Sequence, residues 1–187
     1  MFYILKRLGI YDAMDSHRTL SALIRKYDLK VGVEIGVLKA FHSEYILDHT
    51  NVTLLIGVDP YRSTESYKKV GGELANDADS IVEGVYQEVL ARMKRFGERF
   101  KLIRATSEEA KWSEPLDFVY IDGDHSYEAV LIDIKKWYPL LRTGGIIAGH
   151  DYSPKWQGVI KAVQEYFTDR SQSLVINEMN AVWWIQK

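Results

Sequence analysis

The sequence contains no cysteine. Disulfides, thiol nucleophiles and thiolate metal sites are therefore excluded, and the composition suits a reducing compartment, so a cytoplasmic location is expected. Proline is scarce and scattered, at positions 60, 115, 139 and 154. No linker rich in Pro, Gly or Ser, no internal repeat and no low-complexity tract divides the chain. No apolar run approaches the roughly 20 residues that span a bilayer. The start, Met1 to Arg7, lacks the charged opening and long apolar core of a signal peptide. Positive charge is not in excess either: 24 Lys and Arg stand against 26 Asp and Glu, a net charge of −2. A face that tracks a phosphate backbone is not available, so nucleic acid is not an expected partner. What is present is 187 residues, 47% hydrophobic and 27% charged. That is enough for one well-buried core, and the expectation is a single domain over 1–187.

Strand and helix patterns alternate along it. Residues 1–30 form a helical N-terminal segment, with an apolar stripe at Leu20, Leu23, Ile24 and Tyr27 after a capping Ser16. Buried strands are expected at 31–37, 52–58, 100–104, 116–121 and 145–148. Helices are expected at 41–47, 80–96, 127–141 and 155–167. Leu174 to Asn177 and Ala181 to Ile185 flank a closing hairpin. Strands separated by helices imply an α/β fold, a doubly wound and mostly parallel Rossmann-like sheet with helices on both faces, ending in an antiparallel hairpin. Ligands in such sheets bind outside the carboxyl ends of the strands. The polar stretch 61–79, with Gly71-Gly72 inside it, is expected to be a lid or acceptor loop.

The residues that follow the strands are polar. Glu34 and Gly36 close the first; the glycine admits a ligand close to the backbone, and the next helix offers free N–H groups. This is not the dinucleotide fingerprint, because Leu38 and Ala40 stand where further glycines would. Asp59, at the end of the second strand, is placed to accept the two hydroxyls of a ribose. Asp122-Gly123-Asp124-His125 follows the fourth strand. Like charges held that close call for a cation or donors between them, although Asp124 or Ser126 can also serve as a helix cap. His150 and Asp151 leave the fifth strand beside Asp122. Asp122, His150 and Asp151 together offer oxygen and imidazole ligands to a divalent metal. Tyr61, Tyr152 and Trp156 lie just past strand ends, where they can pack or contact an adenine, a substrate ring or a sulfonium.

Taken together, the stretches VEIGV at 33–37, IGVDPY at 56–61, RATS at 104–107, LDFVYIDGDHSY at 116–127 and GGIIAGHDY at 144–152 resemble class I S-adenosylmethionine-dependent methyltransferases. The nearest branch is a compact one related to the metal-dependent macrolide and sugar O-methyltransferases. The resemblance implies a seven-stranded sheet and S-adenosylmethionine as cofactor. It implies that Glu34 and Gly36 hold the methionine part, Asp59 the ribose and Ser107 the adenine edge, with Tyr61 beside them. Asp122 would lie near the methyl group and, in metal-using relatives, would bind a divalent ion with the acid pair after the fifth strand. Here that pair reads His150-Asp151, and imidazole suits manganese, iron or zinc better than magnesium. Without a metal, His150 or Asp124 would serve as base.

The reading is an O-methyltransferase for a small-molecule or sugar hydroxyl, with Asp122, Asp124 and His150 catalytic. Two alternatives stand beside it: a metal-dependent hydrolase or phosphoesterase using the same Asp/His cluster, and a cofactor-binding module without chemistry. Met1 to Ile10 is apolar enough to pack on a second copy of the chain or on its own sheet.

Overall fold

The computed structural model describes residues 10–62, 68–69, 71, 76–168 and 173–187. The chain runs α1 (Ile10–Lys26), β1 (Val31–Ile35), α2 (Phe41–His49), β2 (Leu54–Val58), α3 (Asp79–Met93), a 3-10 segment (Lys94–Arg99) and β3 (Phe100–Ile103). It continues through β4 (Leu116–Ile121), α4 (Tyr127–Trp137), a short 3-10 turn (Tyr138–Leu140), β5 (Leu141–Gly149), α5 (Gln157–Phe167), β6 (Val175–Asn177) and β7 (Val182–Gln186). The strands make one seven-stranded sheet in the order β3-β2-β1-β4-β5-β7-β6. The first five strands pair in parallel, while β7 is antiparallel to both β5 and β6. The expected architecture is the observed one.

Strand alternation divides the core. On β4, Phe118 and Tyr120 point to one face and pack with Leu20 and Ile24 of α1, Leu47 of α2 and Val89 of α3. Val119 and Ile121 point to the other and pack with Val130, Ile134 and Trp137 of α4 and Val163 of α5. Each strand of the centre is buried on both faces, which is why it reads as a continuous apolar run. At the amino-terminal edge Asp117 ties three elements together. It accepts from the Lys30 and Val31 N–H groups at 2.6 and 2.8 Å and pairs with Arg142.

Several boundaries differ from expectation for physical reasons. The first strand stops at Ile35, because Gly36 turns away at φ 88°. The third helix ends at Met93 and gives way to a 3-10 segment broken at Gly97, whose φ is 53°. The fourth helix ends at Trp137, since Pro139 cannot donate to a continuing helix. The fifth strand starts at Leu141, four residues early, and a register shift between Leu116 and Phe118 absorbs the extra length. No helix among the described residues is long and apolar enough to cross a membrane. Most of the expected lid at 61–79, and all but the last of the ten N-terminal residues, lie outside the described residues.

Candidate functional site

The sheet changes direction of winding between β1 and β4, so their carboxyl ends diverge and open a crevice. There backbone hydrogen bonds join the strand ends. The Asp122 N–H donates to the Ile35 carbonyl at 2.8 Å, and the Gly36 N–H donates to the Val58 carbonyl of β2 at 2.9 Å. A Cβ on Gly36 would lie 2.2 Å from the Asp122 carbonyl oxygen. Only glycine fits, and its φ of 88° is one that other residues rarely adopt.

The turn that follows behaves as a glycine-rich loop without the glycines. Leu38 and Ala40 hold φ values of 48° and 60°. Each such residue costs roughly 1–2 kcal/mol, and hydrogen bonds offset it. Asp59 Oδ2 accepts from the Val37 and Leu38 N–H groups at 3.0 and 2.9 Å, and its Oδ1 accepts from the Tyr61 N–H at 2.8 Å. The Tyr61 hydroxyl donates to the Leu38 carbonyl at 3.0 Å. Burial, with Asp59 nearby, pushes the Tyr61 phenol well above its ordinary value. Asp59 thus holds the turn and keeps spare acceptor capacity on Oδ1.

Glu34 is buried, at 1% exposure. Its carboxylate accepts from His42 Nδ1 at 2.9 Å and from the Ser43 hydroxyl, both on α2. Ser107, past β3, accepts from Trp137 Nε1 at 2.8 Å and is hydrogen-bonded to Asp133 of α4. Burial raises the Asp133 carboxyl to about 7, a shift that the Ser107 hydrogen bond only partly opposes. The polar atoms of Glu34, Tyr61 and Ser107, all expected at the cofactor, are therefore engaged with the protein itself.

The ends of β4 and β5 are different. His125 Nε2 lies 2.7 Å from Asp151 Oδ2 and 3.9 Å from Asp122 Oδ1. His150 Nδ1 lies 3.3 Å from Asp151 Oδ2 and 3.8 Å from Asp122 Oδ1. Despite these distances, neither ring nitrogen of His125 makes an aligned hydrogen bond, and His150 Nε2 has none. Burial alone would depress both imidazoles, but the carboxylates of Asp122 and Asp151 outweigh it and raise each to about 9. Burial also acts against ionisation of Asp151, yet contact with His125 and His150 holds that carboxyl well below the usual range. The ligand atoms of Asp122, His125 and Asp151 all lie within 4.8 Å of one another. Two carboxylates and an imidazole converging without aligned hydrogen bonds fit a divalent cation.

His125 is the residue that the sequence reading passed over. Its sign was its place in the D-G-D-H stretch, three residues past Asp122. Trp156 stacks on its ring, with centroids 4.4 Å apart, and fixes its plane. Asp124, expected as a base, has one oxygen accepting from the Ser126 N–H at 2.9 Å and the other buried without a partner. Ser126 in turn caps α4 through Ala129 N–H. Of the two capping candidates Ser126 is the cap, with Asp124 bracing it through the Ser126 N–H, and Asp122 takes no part.

Comparison with known proteins defines the class. A family model described as a methyltransferase domain matches residues 29–152, the span from just before β1 to just past β5. The chain belongs to this methyltransferase family. A curated relative, an uncharacterized protein of Acanthamoeba polyphaga mimivirus, is 26% identical over 142 residues, covering 73% of this chain; the chain spans only 59% of that relative's length. Among solved structures, the O-methyltransferase NovP superposes with a TM-score of 0.69 at 17% identity, covering 96% of this chain and 80% of its own. An O-methyltransferase from Bacillus cereus, solved in complex with SAH, gives a TM-score of 0.62 at 13% identity, covering 98% and 90%. At those identities the structures speak for a shared fold.

Proposed function

We propose that the chain transfers a methyl group from S-adenosylmethionine to a hydroxyl of a small molecule or sugar. The observation that carries this reading is the meeting of Gly36, Asp59 and Asp122 at the switch point of a methyltransferase-family sheet. The transfer is an in-line displacement. The acceptor oxygen forms a C–O bond as the C–S bond breaks, the sulfonium becomes a neutral thioether, and the hydroxyl proton passes to a base. Holding the two reactants in line lowers such barriers by about 7–11 kcal/mol in well-oriented systems.

Each residue has a place in that scheme. Asp59 accepts from the ribose diol on the capacity its backbone partners leave open. Gly36 and the left-handed turn at Leu38 and Ala40 let the backbone approach the cofactor. Glu34, Tyr61 and Ser107 hold the walls through His42, Leu38 and Trp137. Asp122 sits at the crevice where the methyl group would lie. Asp122, His125 and Asp151 would hold a divalent ion, with Asp151 also facing His150. Such an ion would lower the pKa of the acceptor hydroxyl and fix its orientation. Asp122 and Asp151 hold the His150 imidazole protonated up to about pH 9, so it would serve as proton acceptor only where a bound cation neutralises those carboxylates; Asp124 is committed to the start of α4. A positioned base of this kind contributes typically about 10²–10⁴-fold.

Calorimetric titration of chelator-treated protein with S-adenosylhomocysteine tests the reading. The expected outcome is binding that is lost in Asp59→Asn. No binding by the wild-type protein, with or without Mn²⁺, would remove the cofactor argument.

A further inference from the structure

Beneath the exits of β4 and β5 lies a small cavity whose wall includes Asp124, His125, His150, Val130 of α4, Val159 of α5 and Trp183 of β7. Two glycines let these elements close around it. A Cβ on Gly158 of α5 would lie 2.5 Å from the His125 carbonyl oxygen, and one on Gly149 of β5 would lie 2.7 Å from Trp183 Nε1. The cavity measures about 10 Å³. One buried water needs roughly 10–15 Å³ on that scale, together with polar partners.

Such partners are present. Asp124 accepts from the Ser126 N–H at 2.9 Å through one oxygen, while its Oδ2 is buried with no hydrogen-bond partner. His150 Nε2 is likewise buried and unpartnered. The carboxylates in ion-pair range of His150 are those of Asp122 and Asp151, and both face Nδ1. Asp124 does not reach the ring directly. A carboxylate oxygen only accepts and an imidazole N–H donates, so the two groups are complementary across a gap. Left alone, each would carry the cost of a buried polar group without a partner. One water satisfies both, donating to Asp124 Oδ2 and accepting from His150 Nε2–H. Buried waters typically make about three hydrogen bonds, and His125 Nδ1, in the same wall and also unpartnered, is available for the third.

We propose that this cavity is a hydration site and that Asp124 is a positioning residue, acting on His150 through one buried water. The consequence falls on the tautomer of the ring, because the hydrogen bond made by one imidazole nitrogen decides the state of the other. With Nε2–H held by the water, a neutral His150 keeps its hydrogen on the cavity side and leaves Nδ1 as an acceptor on the crevice side. Nδ1 is then the atom that takes the hydroxyl proton as the new C–O bond forms, and the ring becomes an imidazolium. Only that last step rests on the methyl-transfer reading above. The hydrogen bond from Ser126 fixes the carboxylate plane, so the start of α4 sets the direction in which Oδ2 points.

The test is NMR of the metal-free protein at about pH 10.5, above the range in which the His150 ring holds two protons. In the wild type an NOE should join a long-lived water to the methyl groups of Val130 and Val159. Two-bond ¹H–¹⁵N couplings should place the His150 hydrogen on Nε2, by about tenfold or more over Nδ1. Asp124→Asn keeps an oxygen for the Ser126 N–H but turns the inner atom into a donor. The water must then donate to Nε2, and the hydrogen should move to Nδ1. Val159→Ile leaves Asp124 in place and adds a methylene to the wall; it should erase the water NOE and weaken the preference for Nε2. No water NOE in the wild type would overturn the inference. So would an Asp124→Asn ring that keeps the wild-type tautomer, or a Val159→Ile ring that keeps its full preference without the water. Titration of the same sample with S-adenosylhomocysteine bears on the methyl-transfer reading alone: no binding, with the water in place, would take down that reading and leave Asp124 acting on His150.

Discussion

The two halves of the crevice are built on opposite plans. On the β1–β2 side nearly every polar group is already paired. Asp59 accepts from three backbone N–H groups, and Tyr61 and Ser43 donate to oxygens of Leu38 and Glu34. On the β4–β5 side, Asp122, His125, His150 and Asp151 crowd within ion-pair range while three imidazole nitrogens lack aligned partners. Buried polar groups are otherwise hydrogen-bonded in folded proteins. The first half is a cradle most of whose polar side chains are paired within the protein, His42 Nε2 being the exception. The second is an arrangement that a ligand completes. Under the proposed function the first half would hold the donor in one pose and the second would take and release the acceptor's proton.

The largest expected effect falls where the halves meet. Gly36→Ala would place a methyl group 2.2 Å from the Asp122 carbonyl oxygen on a backbone with φ 88°. Both strand ends would have to separate, at a cost of about 3 kcal/mol or more. Denaturant unfolding should show that loss, and a stable, soluble variant with wild-type midpoint would mean that the junction is not the rigid hinge of the site.

Next comes the buried acid behind Ser107. The Asp133 carboxyl titrates near 7 in the folded protein, against an ordinary value of 3.8. The folded state therefore binds the extra proton between those limits. Stability contributed by this group is greatest below about pH 4 and falls as pH rises towards 7, by a few kcal/mol at most. Asp133→Asn removes the ionisation. Its stability relative to wild type should rise steadily from pH 4 to pH 7 and then level off. A difference that does not change with pH would show that Asp133 is ionised throughout.

The halves should also be separable by ligand. Asp151→Asn removes a carboxylate that faces both His125 and His150. It should weaken Mn²⁺ binding by about tenfold or more while leaving S-adenosylhomocysteine within about twofold. Asp59→Asn should do the reverse. Loss of both ligands in either variant would mean that the two halves form one cooperative site and that the contrast drawn above is only geometric.

Much of this contrast was legible in the sequence, but unevenly. The strand ends and their acids follow from local patterning, so the placement of Asp59, Asp122, His150 and Asp151 at strand ends is legible from the chain alone. Metal ligation is a matter of where rings point, and that depends on packing. Trp156 from one loop aligns His125 from another, so the tight set became Asp122, His125 and Asp151 with His150 beside it. The resemblance implies a cofactor role for Glu34, but that α2 folds back and buries its carboxylate against His42 and Ser43 is visible only in the structure. Nothing in local spacing announces the contacts of the His42 ring with His17 and Tyr120, since these residues come from α1, α2 and β4.

The smallest expected effect bears on why the cradle is stiff. The absence of glycine at 38 and 40 departs from the dinucleotide fingerprint, but the backbone adopts the left-handed conformation there regardless. Strain of that kind persists only where surrounding bonds over-determine it, and Asp59 and Tyr61 supply those bonds on both sides of Leu38. Leu38→Gly relieves roughly 1–2 kcal/mol of left-handed cost. It also gives up side-chain packing and adds roughly 0.5–1 kcal/mol of unfolded-state freedom. The two nearly cancel, so its unfolding midpoint should stay close to wild type. Leu38→Val keeps an apolar side chain but adds a β-branch to the strained backbone, and should be about 1 kcal/mol less stable than the glycine variant. If valine proves the more stable of the two, the turn is held by packing of the side chain and not by the Asp59 and Tyr61 hydrogen bonds.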